Sequence, residues 1–82
     1  MERLALIRQL ISRYRTVPDD FSPATTFRSL RMDSYEIVDF MMALEESLGI
    51  AIEDEDLLSV SSIRDVENLI NRCMKEESNN HA

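Results

Sequence analysis

The sequence is poor in several residue types, and each shortage removes a class of protein. A single cysteine, Cys73, rules out an intrachain disulfide and with it the stapled architecture of small secreted domains. One glycine and two prolines, beside 44% hydrophobic residues, argue against both fibrous repeats and compositional disorder. The one histidine, His81, stands in a polar tail, and no Cys/His/carboxylate cluster has metal-ligand spacing. The acids at 53–56 lack the glycine and the ligand order of an EF-hand loop. There is no glycine-rich phosphate loop and no nucleophile–base pair, so no catalytic residue and no metal site is assigned. No window approaches the roughly 18 consecutive apolar residues of a membrane span.

Basic residues are also scarce, but only in one half. Residues 1–31 hold six arginines against three acids, a balance of +3. Residues 32–82 hold Arg64, Arg72 and Lys75 against thirteen acids, a balance of −10, giving −7 for the chain. That net charge argues against general nucleic-acid binding and favours partners with basic surfaces, steered to the second half. With 82 residues, the chain reads as one small domain burying about 60% of its unfolded surface.

Helical periodicity accounts for most of what is present. Leu4, Ile7, Leu10, Ile11 and Tyr14 recur on one face, which predicts a first helix over about 2–15. The Arg-rich opening invites comparison with an amphipathic transit peptide. It is read here as that helix, because a bundle needs it, and the chain is expected to be cytoplasmic. Pro18 ends the helix, and residues 16–32 form a long connection for which Val17, Phe21, Phe27 and Leu30 are the expected anchors. Residues 53–58 predict a short acidic helical turn. Ser61 or Ser62 is placed to cap a last helix with Ile63, Val66, Leu69, Ile70 and Cys73 on its inner face. Cys73 is read as a buried small hydrophobe, and 77–82 as a frayed tail. No strand pattern, repeat or domain boundary appears.

The stretch from Met32 to Glu46 organises the rest. Asp33 is a good N-cap, and Glu36 three residues later completes a capping-box pattern before an apolar run ending at Gly49. Ser34 then falls in the first turn, where the helix dipole would stabilise a phosphate ester on its hydroxyl. At about 100° per residue, Ile37, Phe40, Met41, Leu44 and Leu48 form a core face. Tyr35, Val38 and Met42 form a second stripe, bordered by Asp39 and Glu46. The combined arc of roughly 200° exceeds what a surface helix usually buries.

Asp33-Ser34 with a hydrophobic residue after it, then Val38-Asp39-x-x-Met42-Ala43-Leu44-Glu45-Glu46, resembles the signature of the acyl carrier protein family. Phe27-x-x-Leu30 upstream, and Leu48-Gly49-Ile50-x-Ile52 and Val60 to Val66 downstream, extend the likeness over essentially the whole chain. The resemblance implies an all-α, four-helix bundle with a long loop between helices 1 and 2 and a short third helix, forming one domain over 1–82. It implies a non-catalytic carrier whose 4′-phosphopantetheine arm, taken from coenzyme A, is attached to Ser34 next to Asp33. The expected partners are a phosphopantetheinyl transferase and the loading, condensing and acyltransferase enzymes of fatty-acid, polyketide or related lipid biosynthesis. Tyr35, Glu36, Val38, Asp39, Met42 and Glu46 are then the expected docking residues, with Glu45 ranked below them. Phe27, Leu44, Ile52 and Ile63 are candidates to line a short acyl chain by analogy. A monomer is the default state. The alternatives are a peptidyl or D-alanyl carrier, or a bundle without the arm that acts as an interaction subunit.

Three residues depart from the family pattern. Tyr35 stands where Leu is usual, and Arg31-Met32 replace a small Gly-Ala pair before Asp33. These changes suggest a specialised carrier, with a bulky aromatic and a cation close to the attachment point. Arg31 is also a candidate partner for the arm's phosphodiester.

Overall fold

A computed structural model describes residues 3–79, with side chains through Met74. The helices are α1 (Arg3–Ile11), α2 (Ser34–Leu48), α3 (Asp54–Ser59) and α4 (Ile63–Asn79). Among the described residues there is no strand, only an isolated antiparallel bridge between Thr26 and Ser62. No described helix is long and apolar enough to cross a membrane.

α1 packs on α2 and α4, and α3 packs on α2. The core between them is apolar: Ile7, Leu10 and Ile11 from α1, Phe40, Met41 and Leu44 from α2, and Ile63, Val66, Leu69 and Ile70 from α4. Cys73 is half-buried against this cluster rather than buried in it, with its Sγ 3.6 Å from Ala51 O.

α1 is shorter than its periodicity predicts. Regular helix stops at Ile11, and the chain then tightens. Arg13 N–H donates to Leu10 O at 3.2 Å and Tyr14 N–H to Ile11 O at 2.9 Å, which satisfies carbonyls that a helix end leaves open. Residue 2 of the expected helix lies outside the described residues. α4 is helical in its backbone to Asn79, and the tail expected over 77–82 otherwise lies outside the described side chains.

The long connection is ordered because it is anchored at both levels. Phe27, Leu30 and Met32 are buried, and Val17 and Phe21 pack partly against the core. Its backbone also completes the start of α4. Ile63 N–H donates to Thr25 O at 2.9 Å, Arg64 N–H to Pro23 O at 2.8 Å, and Phe27 N–H to Ser61 O at 3.0 Å. Helix-start amides that would otherwise lack partners are thereby satisfied by the loop.

Residues 27–32 close in a Schellman motif, which the sequence pattern did not reveal. Met32 N–H reaches Phe27 O at 3.1 Å, and Arg31 N–H reaches Arg28 O at 3.0 Å. The apolar contact that accompanies this motif is supplied by buried Met32 and Phe27. Met32 therefore faces the core, and of the three departures from the family pattern only Tyr35 and Arg31 are exposed near Ser34. Arg31 occupies the left-handed position of the motif (φ 60°), where glycine is usual. Gly49 takes the corresponding conformation after α2 (φ 66°).

α4 is capped reciprocally. Ser62 Oγ accepts Asp65 N–H at 3.3 Å, while Asp65 Oδ2 accepts Ser62 N–H at 3.1 Å, and Ser61 N–H and Oγ–H at 3.0 and 2.9 Å. These donors, led by the Ser61 backbone N–H, hold the Asp65 carboxyl below its ordinary value. A lowered pKa means that this stabilisation is complete above the unfolded value of 3.8 and is lost as pH falls through the folded value. Asp65→Asn is expected to cost about 1 kcal/mol at pH 7 and to flatten the acid limb of the stability profile. Urea titrations of both proteins from pH 7 to pH 3 check this.

Candidate functional site

Ser34 is the first residue of α2, is exposed, and its hydroxyl has no protein partner among the described residues. Its position is fixed by the cap around it. Asp33, extended at φ −84° and ψ 174°, accepts Glu36 N–H through Oδ1 at 2.8 Å, and Asp33 N–H donates to Glu36 Oε1 at 3.1 Å. The sequence predicts this box, and it forms in full.

A third residue joins the cap from the end of α1. Arg15 Nη2 lies 2.7 Å from Glu36 Oε1 and donates to Arg31 O at 3.1 Å, while Nη1 donates to Tyr14 O at 2.7 Å. One guanidinium thus joins the α1 exit, the Schellman turn and the cap beside Ser34. Its planar array of donors suits such bridging better than an ammonium would. Arg15 had no place among the sequence-predicted site residues. Its partner Glu36 is 21 positions away, and only the folded chain brings them together.

The expected docking residues divide into three groups. Tyr35 is 84% exposed and Met42 56%, unusually high for large apolar side chains, and Asp39 and Glu46 are exposed beside them. Val38 is half-buried. Glu36 is half-buried too, and its carboxylate is already committed to the cap and to Arg15. Glu45 turns inward, and its Oε2 accepts Ile52 N–H at 2.8 Å, holding the loop after α2. Leu58 on α3 is also 81% exposed. Periodicity could not choose between it and Leu57 in so short a helix. Phe27, Leu44, Ile52 and Ile63, the expected acyl-lining residues, are all buried in the core.

The site fits a phosphate-linked group. The hydroxyl is accessible, its backbone is rigidly held, and Ser34 and Tyr35 N–H are first-turn donors without partners among the described residues. No group of three or more His, Cys, Asp or Glu among the described residues is arranged to hold a metal ion.

Comparison with known proteins agrees with this geometry. The family model described as phosphopantetheine attachment site matches residues 5–70. Acyl carrier protein 4, chloroplastic, of Cuphea lanceolata is 30% identical over 78 residues, covering 93% of this chain and 56% of that protein. The mitochondrial acyl carrier protein of Dictyostelium discoideum is 37% identical over 54 residues, covering 65% of this chain and 45% of that protein. This chain spans about half the length of such curated relatives. The crystal structure of an acyl carrier protein from Thermotoga maritima superposes with a TM-score of 0.78 at 22% identity, covering 88% of this chain and 86% of that one, a likeness in fold. With the four-helix bundle, the capped serine and a phosphopantetheine attachment model spanning most of its length, the chain belongs to the acyl carrier protein family, whose prosthetic group is 4′-phosphopantetheine.

Proposed function

We propose that Ser34 bears the 4′-phosphopantetheine arm and that the protein carries acyl thioesters to enzymes of fatty-acid, polyketide or related lipid biosynthesis. The observation that supports this most directly is the exposed, unpartnered Ser34 hydroxyl at the start of a helix held by Asp33, Glu36 and Arg15. In the loading step, Ser34 Oγ attacks the coenzyme A phosphorus that bears the pantetheine, its proton passes to the transferase, and 3′,5′-ADP leaves. The arm supplies a terminal thiol for thioester formation. The carrier contributes position and recognition and has no catalytic role.

In this reading α2 is the docking element. Tyr35 and Met42 offer apolar contact, and Asp39 and Glu46 offer charge to basic partner surfaces, with Val38 and Glu36 contributing less because they are half-buried. The protein acts as a single monomeric domain. We also propose cytoplasmic residence. The Arg-rich opening segment belongs to the bundle as α1, with Ile7, Leu10 and Ile11 in the core. The Cuphea and Dictyostelium relatives are chloroplastic and mitochondrial by name, and cell fractionation decides between these locations.

Incubation with coenzyme A, Mg²⁺ and a broad phosphopantetheinyl transferase is expected to add one phosphopantetheine to the intact mass. Ser34→Ala is expected to gain none. Equal gains in the two proteins would remove Ser34 from the role.

A further inference from the structure

Arg31 stands three residues before Ser34 in a backbone setting that does not favour it. The left-handed conformation at φ 60° brings Cβ against the following carbonyl, a clash that glycine avoids, as Gly49 does after α2. The position is nonetheless firmly held. Arg31 N–H is bound by Arg28 O, its carbonyl by Arg15 Nη2, and its neighbour Met32 is buried. Only the Arg31 side chain is left to the solvent, and among the described residues it makes no ion pair and no side-chain hydrogen bond.

The local charges near Ser34 are otherwise spoken for. Arg15 is paired with Glu36 at 2.7 Å, and the Asp33 carboxylate directly before the serine accepts the Glu36 N–H. A phosphodiester on Ser34 would meet that carboxylate, and Arg31 is an unpaired cation nearby. Three residues of chain separate Cα atoms by at most about 10 Å even when extended, and the turn into α2 shortens this. A guanidinium matches a phosphate's paired oxygens in geometry as well as charge.

We propose that Arg31 pairs with the phosphodiester joining the arm to Ser34, and so restrains the root of the arm and sets the direction in which it leaves the helix. The proposal rests on attachment at Ser34. Arg31 is here a positioning residue, with no part in bond making or breaking.

The test uses holo-protein whose arm carries ¹⁵N from labelled coenzyme A, with intact mass confirming the loading of each sample. Wild type is compared with Arg31→Gly, Arg31→Lys and Arg28→Ala, the last removing an equal charge six residues from Ser34. In wild type, the arm amide nearest the phosphate is expected to show a raised heteronuclear NOE that fades toward 1 M salt, where screening acts over about 3 Å. Arg31→Gly should lower that NOE to the value of the distal amide, Arg31→Lys should retain part of it, and Arg28→Ala should leave it unchanged.

Thermal midpoints give a second reading. Apo Arg31→Gly should melt above apo wild type, because the left-handed strain is gone. Loading should then raise the wild-type midpoint by more than that of Arg31→Gly. Equal arm NOEs and equal loading shifts in wild type and Arg31→Gly would overturn the proposal while leaving attachment intact. No mass gain on Ser34 would overturn both.

Discussion

Phe40→Ala is expected to lower the melting temperature by roughly 12–40 °C, at about 4–8 °C per kcal/mol for a domain of this size. Phe40 is fully buried in the middle of α2, and its ring lies 5.8 Å from that of Phe27 at 57°, a favourable tilted arrangement. Truncating such a residue costs about 3–5 kcal/mol, whereas a chain this long has a total stability of about 4–12 kcal/mol. The loss is therefore at least about a quarter of the margin, and all of it at the low end. Phe27 also opens the turn that ends at Arg31 and Met32, so a cavity at this pair loosens the segment that delivers Asp33 and Ser34. Circular dichroism melts of Phe40→Ala, Phe27→Ala and the double variant measure both the cost and the coupling. A drop of only a few degrees would show that the pair is not the centre of the core.

The second large effect concerns recognition. Asp39→Lys with Glu46→Lys is expected to reduce kcat/KM for the phosphopantetheinyl transferase tenfold or more at low ionic strength, within the range of electrostatic steering. Both residues are exposed, on the helix that begins with Ser34 and beside Tyr35 and Met42. The deficit should shrink as salt rises, because rim charges act mainly on association rate. Tyr35→Ala should behave differently, with a loss that salt does not relieve, since apolar contact is not screened. Unchanged kcat/KM in the charge-reversed protein at low salt would remove α2 as the docking element for this enzyme.

Local rules made the centre of the site legible. Asp33 and Glu36 are three apart and Gly49 closes the helix, so α2, its cap and the place of Ser34 follow from neighbours in sequence. The core faces of α1 and α4 were readable for the same reason, since spacing alone selects Ile7, Leu10 and Ile11, and Ile63, Val66, Leu69 and Ile70. What escaped depends on distant partners or on backbone closure. Glu36 read as a capping residue that also offers charge for docking, and its pairing with Arg15 escaped because nothing local points to Arg15. The burial of Met32 was not legible, because a Schellman turn spread over 27–32 carries no composition signal once arginine replaces its glycine. Cys73, read as buried, is only half-buried, and the exposure of Leu58 was not read at all, for another reason. Each lies where a helix face meets solvent, and periodicity fixes direction there less well than it does at the centre of a face.

The central claim is that Ser34 carries the arm in the living cell, and the protein from its native host tests it directly. Trypsin cleavage after Arg31 and Arg64 isolates Ser34 in the peptide 32–64. Tandem mass spectrometry of that peptide is expected to locate one phosphopantetheine on Ser34 and to release the pantetheine fragment on activation. A folded native protein whose 32–64 peptide is entirely unmodified would contradict the account and identify the chain as a bundle that has kept the carrier fold without the arm.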